Sequence, residues 1–288
     1  MGDGNFGCME RFEHAHSLLP LARRASEILT GFCQGDDERM GLQWKGANDP
    51  VTEADRAVHR LCVGELPFVL PGVPLISEEG EGVTDAERFW SLDPVDGTSE
   101  FVEHLGEWAF QLALVDRNRP VAAVLALPAV DRIYYAEAGR GAVWGHLSSR
   151  DMHPLAAFQP LRRERLVVTR SLPRRASLRK LVDLHPGGDA ILLGGVGYKV
   201  HAILSGEGDT YFAVPGTLHP WDLAAPMLVA MEAGLACRTF NGEIPTVPGG
   251  RDGLPDGHVF TRPRFLDRNM GFFARAEVRE LAASRDPR

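Results

Sequence analysis

Four cysteines in 288 residues, none forming a C-x-x-C pair, give this chain neither a zinc ribbon nor a disulfide framework. Cys8, Cys33, Cys62 and Cys237 read as free thiols in a reducing compartment. Long apolar runs are also missing: the longest, Val121 to Leu127, is too short to cross a bilayer. The start, Met1-Gly2-Asp3-Gly4-Asn5-Phe6, has no basic stretch leading into an apolar one, and Phe6 stands where a myristoylation signal wants Ser or Thr. A cytoplasmic protein without a membrane partner is expected. There is no basic excess either. A net charge of −8 argues against a nucleic-acid polymer as partner. A small anionic substrate would need metal ions and local Lys or Arg to offset that field.

Several motifs are absent as well. Gly194-Gly195-Val196-Gly197-Tyr198-Lys199 lacks the G-K-[ST] ending of a P-loop and the third glycine of a dinucleotide fingerprint. No D-x-D of a haloacid-dehalogenase phosphatase occurs, nor the register of an EF-hand loop. Ten histidines carry no metal spacing, and His14-x-His16 reads as solvated helix surface. Internal repeats and low-complexity tracts are lacking too.

What is present is an ordinary globular composition, 44% apolar and 24% charged, long enough for one large domain or two fused lobes. Helical spacing of Leu18, Leu21, Ala22, Ala25, Ile28 and Leu29 predicts an amphipathic helix over 12–32, closed near Gly31. A second helix starts near Thr52 and stops before Pro67. A short strand over Val73, Leu75 and Ile76 leads into Glu78. Strands at 110–115, 121–127 and 133–136 have connections too short for crossover helices, so they run antiparallel. After Gly145 a polar stretch with Pro154 and Pro160 reads as an inter-lobe connection. Beyond it strands at 166–169, 190–193 and 210–214 alternate with helices at 174–184, 198–204 and 222–233, an α/β pattern. The expected division is an α+β lobe over 1–158 and an α/β lobe over 159–288.

The chemistry concentrates in Leu92-Asp93-Pro94-Val95-Asp96-Gly97-Thr98. Two carboxylates three residues apart on a proline-constrained turn, followed by Gly-Thr, offer oxygen ligands for a hard cation beside amides open to a phosphate. Alone, the segment would read as a solvated Asp-Pro turn. It is accompanied by Asn48-Asp49-Pro50-Val51-Thr52-Glu53-Ala54-Asp55, by Ile76-Ser77-Glu78-Glu79-Gly80 and by Trp221-Asp222-Leu223-Ala224-Ala225. Each has a plain alternative. Thr52-x-x-Asp55 is a capping-box pattern, Glu78-Glu79 a solvated loop, and Asp222 an N-terminal helix cap.

Together and in this order, from about Leu42 to Gly242, these stations resemble the inositol monophosphatase superfamily of Mg²⁺-dependent, lithium-sensitive phosphatases. The resemblance implies a two-lobed, layered αβαβα sandwich of the inositol monophosphatase and fructose-1,6-bisphosphatase type. It further implies that Glu78, Asp93, the Val95 carbonyl, Asp96 and Asp222 hold two or three Mg²⁺ ions between the lobes. Asp55 with Thr98 would hold and deprotonate the attacking water, and Gly97 and Thr98 would present amides to the phosphate. Within the superfamily, Glu100 in Thr98-Ser99-Glu100-Phe101, the Thr169-Arg170-Ser171 run, the Gly194 to Lys199 run and Tyr211 to Gly216 are most similar to the 3'(2'),5'-bisphosphate nucleotidases. Ser99 and Leu218-His219-Pro220 depart from that pattern. Arg170 and Lys199 are then the expected contacts to the nucleotide's remaining phosphate. An inositol or other small-metabolite monophosphatase shares the chemistry, and a noncatalytic phosphate-binding descendant is the alternative of another class. A homodimer is compatible with the resemblance.

Overall fold

The computed structural model describes residues 9–34, 43–46, 49–80, 82–156 and 164–284. Asn48, Cys8, Pro160 and the Met1 to Phe6 run lie outside the described residues.

Helix α1 (Ala15–Cys33) buries Leu18, Leu21, Ala22, Ala25 and Leu29 on one stripe, as the spacing requires. Strands β1 (Gln43–Gly46) and β2 (Asp49–Val51) pair antiparallel, and helix α2 (Glu53–Val69) starts at Thr52. The helix runs through Pro67 rather than stopping before it. The proline falls in the last turn, where Leu70 N–H still reaches Leu66 O at 3.0 Å, so one helical bond is forgone without breaking the helix.

The first sheet has seven strands: β3 (Leu75–Ser77), β4 (Arg88–Asp96), β5 (Ala109–Asp116), β6 (Arg119–Leu127), β7 (Arg132–Glu137), β8 (Gly141–Gly145) and β9 (Met152–Leu155). They lie in chain order. β3 and β4 are parallel and every later pair is antiparallel. The run at 92–96, expected as a turn, is the carboxyl end of β4. Its pairing with β5 slips between Asp93 and Asp96, where Pro94 has no N–H to give the ladder. The short helix α3 (Thr98–Val102) follows at once. Strand β9 lies in what the sequence suggested was already connection, and β8 just before it was not expected; their Gly, Trp and Pro content hides the alternation.

The second sheet contains β10 (Leu166–Thr169), β11 (Ala190–Leu193), β12 (Thr210–Ala213), β13 (Ala236–Thr239) and β14 (His258–Thr261), in the order β11-β10-β12-β14-β13. The pairs around β10 are parallel and those around β14 antiparallel. Its helices are α4 (Ala176–Leu184), α5 (Val196–Ser205), α6 (Pro220–Glu232), α7 (Leu266–Phe273) and α8 (Ala276–Ala283). None of the described helices is long and apolar enough to cross a membrane.

Three apolar clusters define five layers. α1 and α2 cover one face of the first sheet through Leu18, Val58, Trp90, Leu92 and Phe110. α5 and α6 fill the space between the sheets, joining Ala109, Leu125 and Tyr134 to Val167, Tyr211 and Phe260. α4, α7 and α8 cover the outer face of the second sheet. The result is the αβαβα sandwich. Because α5 and α6 belong to the second half of the chain yet pack on the first sheet, a division near residue 158 separates the sheets but not their core.

Leu18→Ala, in the outer layer and far in sequence from the acidic stations, removes a fully buried side chain. It should cost about 2–5 kcal/mol in chemical denaturation while leaving metal binding unchanged.

Candidate active site

The site forms where the carboxyl ends of β3 and β4 meet the amino ends of α2, α5 and α6. Each acidic residue there has a local reason for its position. Asp55 closes the capping box of α2: its Oδ2 accepts the Thr52 N–H at 2.8 Å and the Thr52 hydroxyl at 2.6 Å. Its Oδ1 is buried and has no partner among the described residues. The cap reading holds for Oδ2, which leaves Oδ1 uncommitted. Burial pushes the Asp55 carboxyl from its ordinary 3.8 to about 6, against the two Thr52 bonds that pull it down.

Asp93 is 1% exposed, and its Oδ1 takes the Val95 N–H at 3.1 Å. Its pKa is raised well above the usual range, first by burial and then by Glu78, Asp96 and Asp222. Glu78, at the end of β3, also shares a side-chain hydrogen bond with it. Asp96 reaches across to the second half of the chain. Its two oxygens accept the N–H groups of Val196 at 2.8 Å and Gly197 at 2.6 Å, capping α5. Even so, burial and Asp222 push it to about 6. Asp222, in the first turn of α6, takes the His219 N–H at 2.7 Å. Carboxylate oxygens of Asp93, Asp96 and Asp222 lie within 4.8 Å of one another. Buried carboxylates this close repel unless protons or cations intervene.

The neighbouring turn is built for close approach. Gly97 has φ +87°, and a Cβ there would sit 3.0 Å from Glu107 O and 3.1 Å from Gly195 N. Glycine alone fits. Thr98 Oγ1 donates to Val95 O at 2.9 Å, so the hydroxyl expected beside Asp55 is oriented instead by the carbonyl expected as a metal ligand.

Lys199 and Arg170, the two expected phosphate contacts, are both held by protein partners. The Lys199 ammonium is 4% exposed and donates to Gly194 O, with Asp96, Glu100, Asp222 and Glu107 as its charged neighbours. It acts as a counter-charge beneath the cluster rather than as an exposed phosphate contact. Burial lowers its pKa, and those carboxylates oppose the shift. Arg170 forms a two-bond pair with Glu107, its Nε to Oε2 at 2.7 Å and its Nη2 to Oε1, and keeps 39% of its side chain exposed.

Two residues escaped the sequence reading. Glu107, besides holding Arg170, accepts the Gly194 N–H at 2.8 Å through Oε2 and the Gly195 N–H at 3.0 Å through its carbonyl. It fastens the 194–195 loop to the Gly97 turn. Arg251 donates to the carbonyls of Ser77 and, at 2.9 Å, Glu78, while its guanidinium lies 5.0 Å from the Trp221 ring centroid. One cation thus ties the Glu78 strand end to the residue before Asp222. No local pattern marks either position. Only the tertiary register, over 170 residues apart for Arg251, brings them in.

Residues 13–274 match the model of the inositol monophosphatase family. The chain belongs to that family. It is therefore a phosphatase, a phosphoric monoester hydrolase, of a metal-dependent family. It is 28% identical over 225 residues to the 3'(2'),5'-bisphosphate nucleotidase CysQ of Aggregatibacter actinomycetemcomitans, covering 75% of this chain and 81% of that one. Its fold is that of the Thermotoga maritima IMPase, with TM-score 0.74 at 23% identity over 92% of this chain and 98% of the other. CysQ from Bacteroides thetaiotaomicron superposes with TM-score 0.70 at 24% identity, over 87% and 98%.

The residues fit a hard divalent cation. Every converging donor is an oxygen, Asp55 Oδ1 is unpartnered among the described residues, and the mutual repulsion of three carboxylates is offset by Lys199 beneath and by the amide groups at the start of α5. The raised acids set a pH dependence. Asp55 and Asp96 bind more protons folded than unfolded between 3.8 and about 6, so they stabilise the metal-free protein below that window and lose the contribution as pH rises through about 6. The gain in melting temperature on adding Mg²⁺ should accordingly be large above pH 6 and shrink below it. Thermal melts across pH 5 to 8, with Mg²⁺ and with EDTA, check this; a pH-independent gain contradicts it.

Proposed function

We propose that this chain is a Mg²⁺-dependent 3'(2'),5'-bisphosphate nucleotidase that removes the 3'-phosphate of adenosine 3',5'-bisphosphate. The observation that carries the metal part is the meeting of Asp93, Asp96 and Asp222 on one all-oxygen focus. The nucleotide part is supported by the 28% identity to the CysQ nucleotidase and by Arg170, a half-exposed cation held in plane by Glu107 beside the Gly97 turn.

Glu78, Asp93, the Val95 carbonyl, Asp96 and Asp222 are the residues assigned to the cation. Bound there, Mg²⁺ supplies Lewis acidity toward phosphoryl oxygens and acidifies a water. Asp55 has one oxygen committed to its helix and one bare, which suits it to orient that water and accept its proton. At neutral pH a carboxyl with a pKa of about 6 is mostly ionised and ready to do so. Thr98, its hydroxyl hydrogen committed to Val95 O, presents lone pairs to the same water. The amides of Gly97 and Thr98 face the phosphate. Arg170 takes the phosphate that stays on the product, and Lys199 supports the site from beneath by countering the charge of Asp96 and Asp222.

In this displacement the water oxygen bonds to phosphorus as the bond to the ribose 3'-oxygen breaks. The ribose oxygen leaves with a proton, and inorganic phosphate carries the water's oxygen. No covalent enzyme intermediate is involved. The same reading assigns the chain to the cytoplasm, with the 1–158 half supplying most ligands and the 159–288 half supplying Asp222 and the substrate contacts.

Phosphate release from adenosine 3',5'-bisphosphate and inositol 1-phosphate, each with Mg²⁺ and with EDTA, tests the reading. Mg²⁺-dependent preference for the nucleotide is expected. Preference for inositol 1-phosphate would keep the metal chemistry and discard the nucleotide assignment, whereas no release from either would sink both substrates. Asp93→Asn should lower turnover at least about 100-fold while the protein stays folded by circular dichroism. Near-normal turnover in that variant would remove Asp93 from the site.

A further inference from the structure

Gln111 lies within β5, fully buried, and among the described residues neither its Nε2 nor its Oε1 has a hydrogen-bonding partner. Buried primary amides are almost always paired, so a residue bare at both ends requires a cause. Its place in the sheet supplies one. Gln111 is the direct ladder partner of Asp93. Residues directly opposed in an antiparallel pair project from the same face, with their Cβ atoms about 5 Å apart.

That face is identified by the neighbours. Phe110 and Leu112 pack under α1 and α2, whereas Ala109 and Ala113 belong to the core shared with α5 and α6. Gln111 therefore points toward the layer that carries Asp222. From that layer α5 closes over it. A Cβ on Gly197 would lie 3.1 Å from Gln111 Nε2, and the Gly197 N–H is the one that donates to Asp96 at 2.6 Å. The amide is thus placed between its ladder partner Asp93 and the backbone that binds Asp96. Ser91, two residues before Asp93 on the same face, has a hydroxyl that is likewise unpartnered among the described residues.

An apolar side chain of the same length would fill this space without burying two polar groups. Asp93, in turn, has its Oδ1 on the Val95 N–H at 3.1 Å, and a ligating carboxylate also has to be held against rotation about its own side-chain bond. We propose that Gln111 is a positioning residue for the metal centre, its Nε2–H donating to the Asp93 carboxylate and holding it in the ligating orientation. Oε1 then remains as an acceptor toward Ser91. The role rests on reading the acidic cluster as a cation site.

The test is calorimetric titration of metal-free wild type and Gln111→Met with Mg²⁺ and with Mn²⁺, together with thermal melts in EDTA. Methionine keeps the length and removes both hydrogen-bonding ends. The expected result is a variant at least as stable as wild type without metal, but with cation affinity reduced 10- to 100-fold. Cation affinity within twofold of wild type overturns the role, whatever the melts show. A wild type that takes up no cation overturns the metal reading and this role with it. If Gln111→Met does not fold, Gln111→Asn carries the test, because it retains the amide one methylene short of Asp93. Affinity at least threefold weaker supports the role, and equal affinity overturns it.

Discussion

One carboxylate holds the two halves of this molecule in register. Asp96 ends a strand of the first sheet, and both its oxygens are taken by the first N–H groups of α5, a helix a hundred residues further on. The bond joins fold and chemistry, because the same oxygens belong to the cluster with Asp93 and Asp222. A helix amino end carries partial positive charge, so α5 stabilises the negative charge that the cluster accumulates. Gly195 and Gly197 make the approach feasible: any Cβ at 195 would overlap Asp96, and at 197 it would overlap Leu125. Remove this contact and the layer between the sheets loses its alignment with the site.

Around that bond the site is held by cross-links that each serve two segments. Glu107 binds Arg170 and the 194–195 loop, while Arg251 binds the Glu78 strand end and Trp221. Asp55 commits one oxygen to a helix cap and leaves the other buried without a partner among the described residues. Stability and catalytic geometry are therefore not separable in this region. Many buried charges occupy a small space, balanced by Lys199 and the helix ends until a cation arrives.

The acidic stations were more legible in the sequence than their surroundings. Asp93, Asp96, Asp222 and Asp55 stood in short runs whose neighbours are themselves informative, and the structure brings the first three together, with Glu78 against Asp93. Helix α1 and strands β5 to β7 followed from apolar periodicity, since each has one face on a core. The end of β4 did not, because a strand carrying Pro94 between two aspartates looks like a turn until its neighbours are known. Strands β13 and β14 and helices α7 and α8 were missed as well, being short segments whose burial is decided by the second sheet. The depth of Lys199 was equally hidden. A lysine after a glycine-rich run reads as exposed, and only the enclosing Asp96, Glu100, Glu107 and Asp222 explain why its charge is tolerated in the interior.

The separation between Asp96 and its helix also has a consequence for synthesis. As the chain emerges from its amino end, Glu78, Asp93 and Asp96 are made about a hundred residues before α5 and Lys199, and Asp222 and Arg251 follow later still. The first sheet can pair its strands in that interval, but the tip of β4 must wait with its acids unbalanced. The charge at the tip of β4 is therefore balanced only by a part of the chain made much later, which docks between the two sheets.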